Sequence, residues 1–453
     1  MSDIGKLTYH DFEVELAGLQ QNGTYTVRVL GTTPDSHQMS AGETEQATFK
    51  PAEFDTPVRR LNQRGLDKTG LLKLGEQLGD LLLPGHVRAM FDRSLEFVRG
   101  KQEGLRLRVR VEPLALAALP WEYALVRRNA HETVPQDFLC LQPDISIVRH
   151  IVLGDPVPVA VAKEKYRAVI ALASPDGQAE LELGTDENTI KSAVQKFDAD
   201  GSRIDLQVLF PATRDALHDA LAGADIFHFS GHGVFDAQSD FAPDGTLRGK
   251  GAILLEKSDH SADRYDTELL ANALQRADVR LAVLGACNTA TRDAGGAWSG
   301  VAPGLVRLNV PAVVAMQFKL ADTRALHFIA PLYLLTLQGY TVDQAVAEAR
   351  IALFNQTGQA NGDWAKDRDW GTPVLYLRTP DGVLFPEPKQ QTETVGPDGT
   401  PIITARQKID TVSGTVIGIE AGHVRRGVLT SDQVIKVVKK GATVIGQKHG
   451  TIG

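Results

Sequence analysis

The sequence contains few cysteines. Only Cys140 and Cys287 occur among 453 residues, so the chain can form at most one disulfide. A secreted chain of this size could use several disulfides, and we therefore expect free thiols and a cytoplasmic location. Two cysteines are also too few for a structural zinc site of the cysteine-rich kind.

Targeting signals and strongly charged regions are lacking as well. The first residues, MSDIGKLTYHDFEVEL, have no basic start followed by an apolar stretch, so we expect no secretory signal. No run of about 18 apolar residues occurs, which predicts no membrane span. A net charge of −8 without a strongly basic main region argues against nucleic acid as the principal partner.

Several common catalytic motifs are also missing: G-x-S-x-G, the P-loop and H-E-x-x-H. What is present is an ordinary globular composition, 43% hydrophobic and 23% charged, with enough apolar residues for a large core. The length predicts about three domains.

The first third of the chain changes its hydrophobic pattern once. Residues 1–58 alternate apolar and polar residues in short runs, which predicts an N-terminal β element. Residues 59–160 combine helical periodicity, from Thr69 to about Gly100, with the alternating run LRLRVRV at 105–111. We expect this helical and β region to pack on the segment that follows.

Residues 161–386 alternate between strand and helix patterns. Such alternation predicts an α/β fold, a mostly parallel sheet covered by helices on both faces. Ligands and catalytic groups in such sheets lie beyond the carboxyl ends of the strands. The predicted strands are 166–173, 204–210, 225–230, 251–256, 280–286, 312–318 and 373–378.

The C-terminal part has a different composition. Residues 387–401 are rich in Pro, Gln and Thr and predict a linker. Residues 402–453 contain eight Lys/Arg and three Asp/Glu, a net charge of +5, and an echo of TVIGIEAG (415–422) in TVIGQKHG (443–450). One echo is too little to establish a repeat architecture. We expect a small β module that either docks on the acidic body of the protein or recruits an acidic partner. Its strands could pair with an exposed sheet edge on a partner or with a second copy of this chain.

Two hydrophobic strands end abruptly at residues that can carry out chemistry. The strand in DIFHFSGHGVF (225–235) is followed by His232 between two glycines, and RLAVLGACNTA (280–290) carries Cys287 two residues beyond Gly285. If the two strands are neighbours, imidazole and thiol meet at one end of the sheet. A histidine can then take the thiol proton, and the thiolate is the nucleophile.

The glycines around the histidine fit this chemistry. We expect Gly231 to let the strand turn tightly and Gly233 to bring a backbone N–H close to a substrate. The N–H groups of Gly233 and Cys287 would form an oxyanion hole. Other interpretations stay open: a histidine between glycines can be a loop residue or a phosphate contact, and a cysteine at a strand end is commonly a buried small hydrophobe.

Five segments of the sequence together resemble one known domain family. They are FHFSGHGVFD (227–236), LAVLGACNTA (281–290), WSGVAPGLVRLNVPAVVAMQF (298–318), FIAPLYLLTLQGYTVDQAVAEAR (328–350) and WGTPVLYLR (370–378). Together they resemble the CHAT domain, a bacterial branch of the caspase-like, separase-related cysteine peptidases. LRLRVRVEPLALAALPWEYAL (105–125) resembles the segment that often precedes it. The resemblance implies that His232 is the general base, Cys287 the nucleophile, and Gly233 with Cys287 the oxyanion hole.

The sequence departs from the caspase pattern at one place. Caspases have Gln-Ala-Cys before a glycine-rich turn, whereas this chain has Gly285-Ala286-Cys287. Cleavage after aspartate is therefore not implied. Asp236 and Asp322 lie on segments that could border the specificity pocket, and they would favour Lys or Arg in the substrate; they can equally be solvated loop residues.

These observations predict a cysteine endopeptidase that cleaves protein substrates without metal or organic cofactor. The resemblance implies a triggered effector in bacterial defence or cell death. Two alternatives stay open: a catalytically silent caspase-like interaction protein, and a thioester-forming acyltransferase.

Overall fold

The computed structural model describes most of the chain, and the residues it describes fall into two compact units, 1–387 and 388–453. The described residues are 5–31, 43–127, 134–151, 157–178, 181, 183–199, 201–241, 247–285, 298–318, 320, 322–358, 368–386, 393–395, 401–412, 415–417, 420–424, 428–438, 443–445 and 448–452.

Among the described residues of the first unit, eleven strands form one mixed sheet in the order β3-β2-β1-β4-β5-β14-β13-β12-β8-β6-β7. Seven of its neighbouring pairs are parallel, so the predicted mostly parallel α/β sheet is confirmed. The strands are β1 (Tyr9–Ala17), β2 (Thr24–Gly31), β3 (Thr44–Thr48), β4 (Gly104–Val111), β5 (Ile145–Arg149), β6 (Tyr166–Leu172), β7 (Ile204–Leu209), β8 (Ile226–Ser230), β12 (Leu281–Gly285), β13 (Ala312–Met316) and β14 (Pro373–Leu377).

A second sheet of three antiparallel strands lies in the same unit: β9 (His232–Phe241), β10 (Leu247–Glu256) and β11 (Ala262–Asp266). The predicted strand at 251–256 is part of β10 and therefore pairs outside the main sheet. The sequence pattern did not predict β9 or β11.

The helices cover both faces of the sheet, as predicted. Alternate residues of β6 show the division. Ala168 and Ile170 pack in a core with α5, α9 and α10, while Val169 and Ala171 pack in another with α6, α7 and α8. The helices are α1 (Pro51–Asn62), α2 (Lys68–Leu82), α3 (Gly85–Gly100), α4 (Leu114–Ala117), α5 (Leu183–Phe197), α6 (Arg214–Ala220), α7 (Thr267–Arg276), α8 (Trp298–Arg307), α9 (Asp322–Leu337) and α10 (Val342–Gly358).

The N-terminal strands continue the main sheet. β1 pairs in parallel with β4, and α1–α3 share a third apolar core with β1, β2, β4 and the segment around Trp121. Helix α1 falls partly within the region predicted as β structure. It begins at Pro51, where a missing N–H costs nothing, and contains Pro57 in its second turn, which hides the helical pattern from sequence reasoning.

The second unit consists of strands throughout its described residues. They are β15 (Glu393–Val395), β16 (Pro401–Val412), β17 (Thr415–Ile417), β18 (Glu420–Val424), β19 (Val428–Val438), β20 (Thr443–Ile445) and β21 (Lys448–Ile452). A small C-terminal β module was predicted here.

None of the described helices in either unit is both long and apolar enough to span a lipid bilayer.

Candidate active site

The two strands that lead to His232 and Cys287 are neighbours. β8 and β12 pair in parallel, with Phe229 opposite Leu284 and Ser230 opposite Gly285. Their last residues therefore end level with each other at one edge of the sheet, about 4.8 Å apart. His232 follows Ser230 by two residues, and Cys287 follows Gly285 by two residues. A shared His–Cys site requires that these two strands be neighbours, and their pairing meets this requirement.

His232 is the first residue of a new strand, and it is buried at 3% exposure. It lies opposite Leu254 of β10, and Gly233 lies opposite Ile253. The chain therefore passes from the main sheet into the antiparallel sheet within one residue, Gly231. Because strands hold backbone positions more tightly than loops do, this arrangement makes the position of His232 well defined.

Gly231 is needed for a reason other than the one expected. Its φ is not among the positive values of the chain, so no left-handed turn requires glycine here. A Cβ atom at this position would instead lie 2.4 Å from Cζ of Phe229 and 2.9 Å from the carbonyl oxygen of Ala173. The close passage of the chain over the end of β6 therefore excludes a side chain.

Cys287 lies outside the described residues, as do Ala286 and the segment up to residue 297. The structure describes where the chain departs toward it and where it returns. The described chain leaves β12 at Gly285 and resumes with α8. Helix α8 packs closely on β10, since Cγ2 of Val301 would lie 2.7 Å from a Cβ atom on Gly251.

A buried hydrogen-bonded chain lies directly beneath this edge. Nδ1 of His228 is 2.8 Å from the Tyr333 hydroxyl of α9, and its Nε2 is 3.2 Å from Oγ of Ser230. Burial lowers the pKa of His228 to about 3, so the imidazole is neutral at physiological pH. A Cβ atom on Gly285 would lie 3.3 Å from that Nε2, so Gly285 leaves room for it. Both ring nitrogens of His228 therefore have hydrogen-bond partners within the core.

The loop after β6 borders the same edge and is tied to the antiparallel sheet. Leu172 lies opposite Ser230, and the N–H of Ala173 donates to the Ser230 carbonyl. Oε1 of the buried Glu256 accepts from the N–H of Ser174 at 2.8 Å. The other carboxylate oxygen of Glu256 is 2.9 Å from Nδ1 of His260. Glu256 thus fixes the start of this loop from the end of β10.

The structure gives the backbone positions of Asp236 and Asp322, the two aspartates proposed for specificity. Asp236 lies in β9 opposite Lys250 of β10, four residues beyond His232. Asp322 is the first residue of α9, which follows β13, the neighbour of β12 in the sheet. Both segments start from the part of the molecule where β8 and β12 end. Whether the two residues form a pocket stays a prediction.

Cys140 contrasts with Cys287. Its thiol is fully buried in the N-terminal core, and burial raises its pKa to about 12. A thiol in this state is protonated and unreactive. This is the environment of a structural residue.

Sequence reasoning missed Tyr333 and Glu256. Tyr333 lies 105 residues after His228, within an apolar helix, and Glu256 lies 82 residues after Ser174 at a strand end. Neither belongs to a local motif, and only the fold brings them to this edge. Among the described residues, no cluster of three His, Cys, Asp or Glu side chains could hold a metal ion.

Comparison with known protein families finds one family model that matches this chain. The family model of the CHAT domain matches residues 72–377. The match begins upstream of the resemblance recognised in the sequence and takes in most of α2 and all of α3. No curated protein matches the chain.

Among solved structures, two chains from the separase–securin complex of Saccharomyces cerevisiae are similar. One has 15% identity and a TM-score of 0.33, covering 64% of this chain and 17% of that chain. The other has 12% identity and a TM-score of 0.38, covering 81% and 30%. The chain thus spans less than a third of the length of either.

Proposed function

Because the chain belongs to the CHAT domain family, we propose that it is a cysteine endopeptidase with His232 as general base and Cys287 as nucleophile. The observation that carries the proposal is the register of β8 and β12. Ser230 and Gly285 end side by side, so the two reactive residues each lie two residues beyond adjacent points of one sheet edge.

The reaction is acyl transfer through a thioester. The imidazole of His232 takes the thiol proton of Cys287, and the thiolate sulfur attacks the scissile carbonyl carbon. The N–H groups of Gly233 and Cys287 stabilise the resulting oxyanion, a contribution worth about 10²–10³ in rate per donor. The C–N bond then breaks as His232 returns the proton to the leaving amine. Water, deprotonated by the same imidazole, hydrolyses the thioester and regenerates the thiol.

The chain allows a direct chemical test because it has only two cysteines. The buried, protonated Cys140 should resist iodoacetamide in the folded protein, so labelling at neutral pH should occur at Cys287. Mass spectrometry of labelled peptides measures each site. His232→Ala should slow labelling of Cys287, because the thiol loses the base that deprotonates it. Equal labelling of both cysteines would contradict an activated thiolate.

Loss of activity provides the second test. Cys287→Ala and His232→Ala should each abolish peptide hydrolysis with the fold intact, and the double variant should resemble either single one, since the two residues act as a unit. Co-expression of wild type and Cys287→Ala with neighbouring-gene products should reveal fragments that depend on Cys287. A small thioester that acylates Cys287 while peptides stay intact would favour the acyltransferase. Absence of any dependence on Cys287 would favour a silent interaction protein.

For specificity, we propose a preference for Lys or Arg before the scissile bond. It rests on Asp236 and Asp322, which lie on segments that start at the candidate site. A positional peptide library measures the preference. An acidic or purely hydrophobic preference would contradict the proposal.

The biological setting that fits a CHAT peptidase is a triggered effector of bacterial defence or cell death, acting in the cytoplasm on a protein substrate. We propose that residues 402–453 serve recruitment rather than inhibition. Truncation after Phe385 should then leave cleavage of a short peptide unchanged while cleavage of the protein substrate is lost. Faster cleavage of the short peptide would show instead that the module is a brake.

A further inference from the structure

The second unit is built as two successive coils of three strands each. β16, β17 and β18 form the first coil, and β19, β20 and β21 form the second. Each strand pairs in parallel with its counterpart: β16 with β19, β17 with β20, and β18 with β21. Parallel pairing of consecutive coils at a nearly constant offset along the chain is the arrangement of a β-solenoid.

The register explains the echo in the sequence. The repeated TVI of TVIGIEAG and TVIGQKHG is β17 lying on β20, with Thr415 opposite Thr443 and Ile417 opposite Ile445. Like residues also meet in the longer strands, where Gln407 lies opposite Gln433. The other pairs of identical or apolar residues are Thr404/Thr430, Ile402/Val428, Ile403/Leu429, Ile409/Ile435, Val412/Val438, Val416/Val444 and Val424/Ile452.

Charged residues at matched positions have opposite signs. Arg406 in the first coil lies at the register position of Asp432 in the second. Glu420 lies at the position of Lys448, with the order of signs reversed. Each coil therefore carries one residue of either charge at these two register positions, and the pairing of the two coils matches residues of opposite charge.

Both ends of this stack have strand edges without a partner among the described residues. Pairing is described for β19, β20 and β21 on the side of the first coil alone. On the first coil, β15 covers β16 at residues 401–403, and the edge from Thr404 onward has no further described partner. Unpaired edges with N–H and C=O groups are templates for another strand.

We propose that the second unit binds a second copy of this chain, whose first coil continues the stack of the second coil. The sequence argues for this occupant, because the surface that the second coil presents is the complement of a first coil. Asp432 would meet Arg406 of the next copy, and Lys448 would meet its Glu420. The association is head-to-tail. Because a dimer still has an unpaired first coil at one end and an unpaired second coil at the other, the assembly can continue beyond a dimer.

The net positive charge of the second unit opposes association, but this repulsion acts over longer distances than the contacts between matched residues. The eight Lys/Arg and three Asp/Glu of residues 402–453 repel another copy. At physiological ionic strength this repulsion is screened beyond about 8 Å. Neighbouring positions of a strand ladder are about 4.8 Å apart, well inside that distance. Matched unlike charges and a continued ladder of backbone hydrogen bonds therefore outweigh the net charge.

A charge-reversal series in the full chain tests the proposal. All proteins carry Cys287→Ala, so that proteolysis cannot alter them, and sedimentation velocity across the micromolar range measures assembly. Arg406→Asp and Asp432→Arg each place like charges at neighbouring positions and should reduce assembly at least tenfold in concentration. Their equimolar mixture should recover assembly, because every contact between alternating copies is then between unlike charges. The matched control is Lys408→Asp, the same charge change in the same strand opposite the uncharged Val434.

The outcomes divide clearly. Assembly of the parent that falls in both single variants, recovers in their mixture and persists in Lys408→Asp supports the proposal. A parent that stays monomeric overturns it, as does an equal loss for Arg406→Asp and Lys408→Asp. If the single variants lose β structure by circular dichroism, the double variant Arg406→Asp/Asp432→Arg restores unlike charges within and between copies. Failure of that folded double variant to assemble also overturns the proposal. None of these readouts depends on peptidase activity.

Discussion

The two halves of the eleven-stranded sheet bury different chemistry. Around β4 and β5 the buried residues include ion pairs: Arg106 with Asp343, and Arg149 with Glu122. In β8, β12 and β13, by contrast, all residues are apolar or glycine except His228 and Ser230. The charged half lies at the N-terminal strands, and the apolar half carries the candidate active site.

The difference corresponds to different tasks. The arginines of the charged half bind segments far away in the chain: Arg106 donates to the carbonyl oxygens of Pro380 and Asp381, and Arg149 to those of Ala117 and Leu119. Guanidinium groups suit this task because they offer five donors in a fixed plane. In β8, β12 and β13, hydrophobic packing sets the strand positions, and the two polar residues, His228 and Ser230, lie at and just before the end of β8, next to His232.

Breaking the charged half should have the largest effect. Burial opposes the charge of Arg106, but the carboxylates of Asp343 and Asp11 outweigh it and raise its pKa. Asp343→Ala removes the fully buried partner and should cost about 3–5 kcal/mol of unfolding free energy, measured by urea denaturation. Asp92→Ala, which breaks an exposed pair with Arg88, should cost less than about 0.5 kcal/mol. Similar losses in both variants would contradict the contrast.

The apolar half should respond to lost volume. Leu281→Ala in β12 leaves a cavity in a fully buried position and should cost about 3 kcal/mol. Leu269 on α7 is 47% exposed, and Leu269→Ala is the matched control, with an expected loss below about 1 kcal/mol. The same denaturation experiment compares them. A Leu281→Ala loss as small as the control's would show that this half tolerates cavities.

The buried His228 should make the apolar half sensitive to acid. Its pKa is lowered to about 3 by burial, whereas in the unfolded chain it is about 6.5. The unfolded state therefore gains a proton first, and stability is lost as pH falls below 6.5. The loss should reach about 2 kcal/mol by pH 5. Subtracting the pH profile of His228→Gln isolates this contribution, and identical profiles would contradict it.

The smallest effect is expected at His260, with the opposite sign. The hydrogen bond to Glu256 raises the pKa of this exposed histidine, against a small effect of burial. Its stabilising contribution is complete below the unfolded pKa and disappears as pH rises through the folded value. The melting temperature of His260→Gln should therefore fall below that of wild type at pH 5.5 and match it at pH 8.5. A difference that grows with pH would contradict this.

The regular part of the fold was predictable. In residues 161–386, each predicted strand has a counterpart and helices alternate with the strands as expected, because buried strands and amphipathic helices differ in local periodicity. For the candidate site, the ends of β8 and β12 were predicted, whereas their adjacency was only a condition of the hypothesis, which the pairing of the two strands meets. Helix α1 was not, since Pro57 interrupts its pattern, and β9 was not, since Gly231 and Gly233 resemble a loop.

The sequence by itself determined the alternating strands and helices of residues 161–386 and the two residues on which the proposed chemistry depends, because both follow from neighbours a few positions away. The tertiary structure decided which strands are adjacent, why Gly231 must be glycine, and how Arg106 finds Asp343 across 237 positions. It also turned one short echo into a register of two coils. These features depend on partners far away in the chain, and such partners are selected by packing, burial and charge in the folded molecule, which local patterns do not contain.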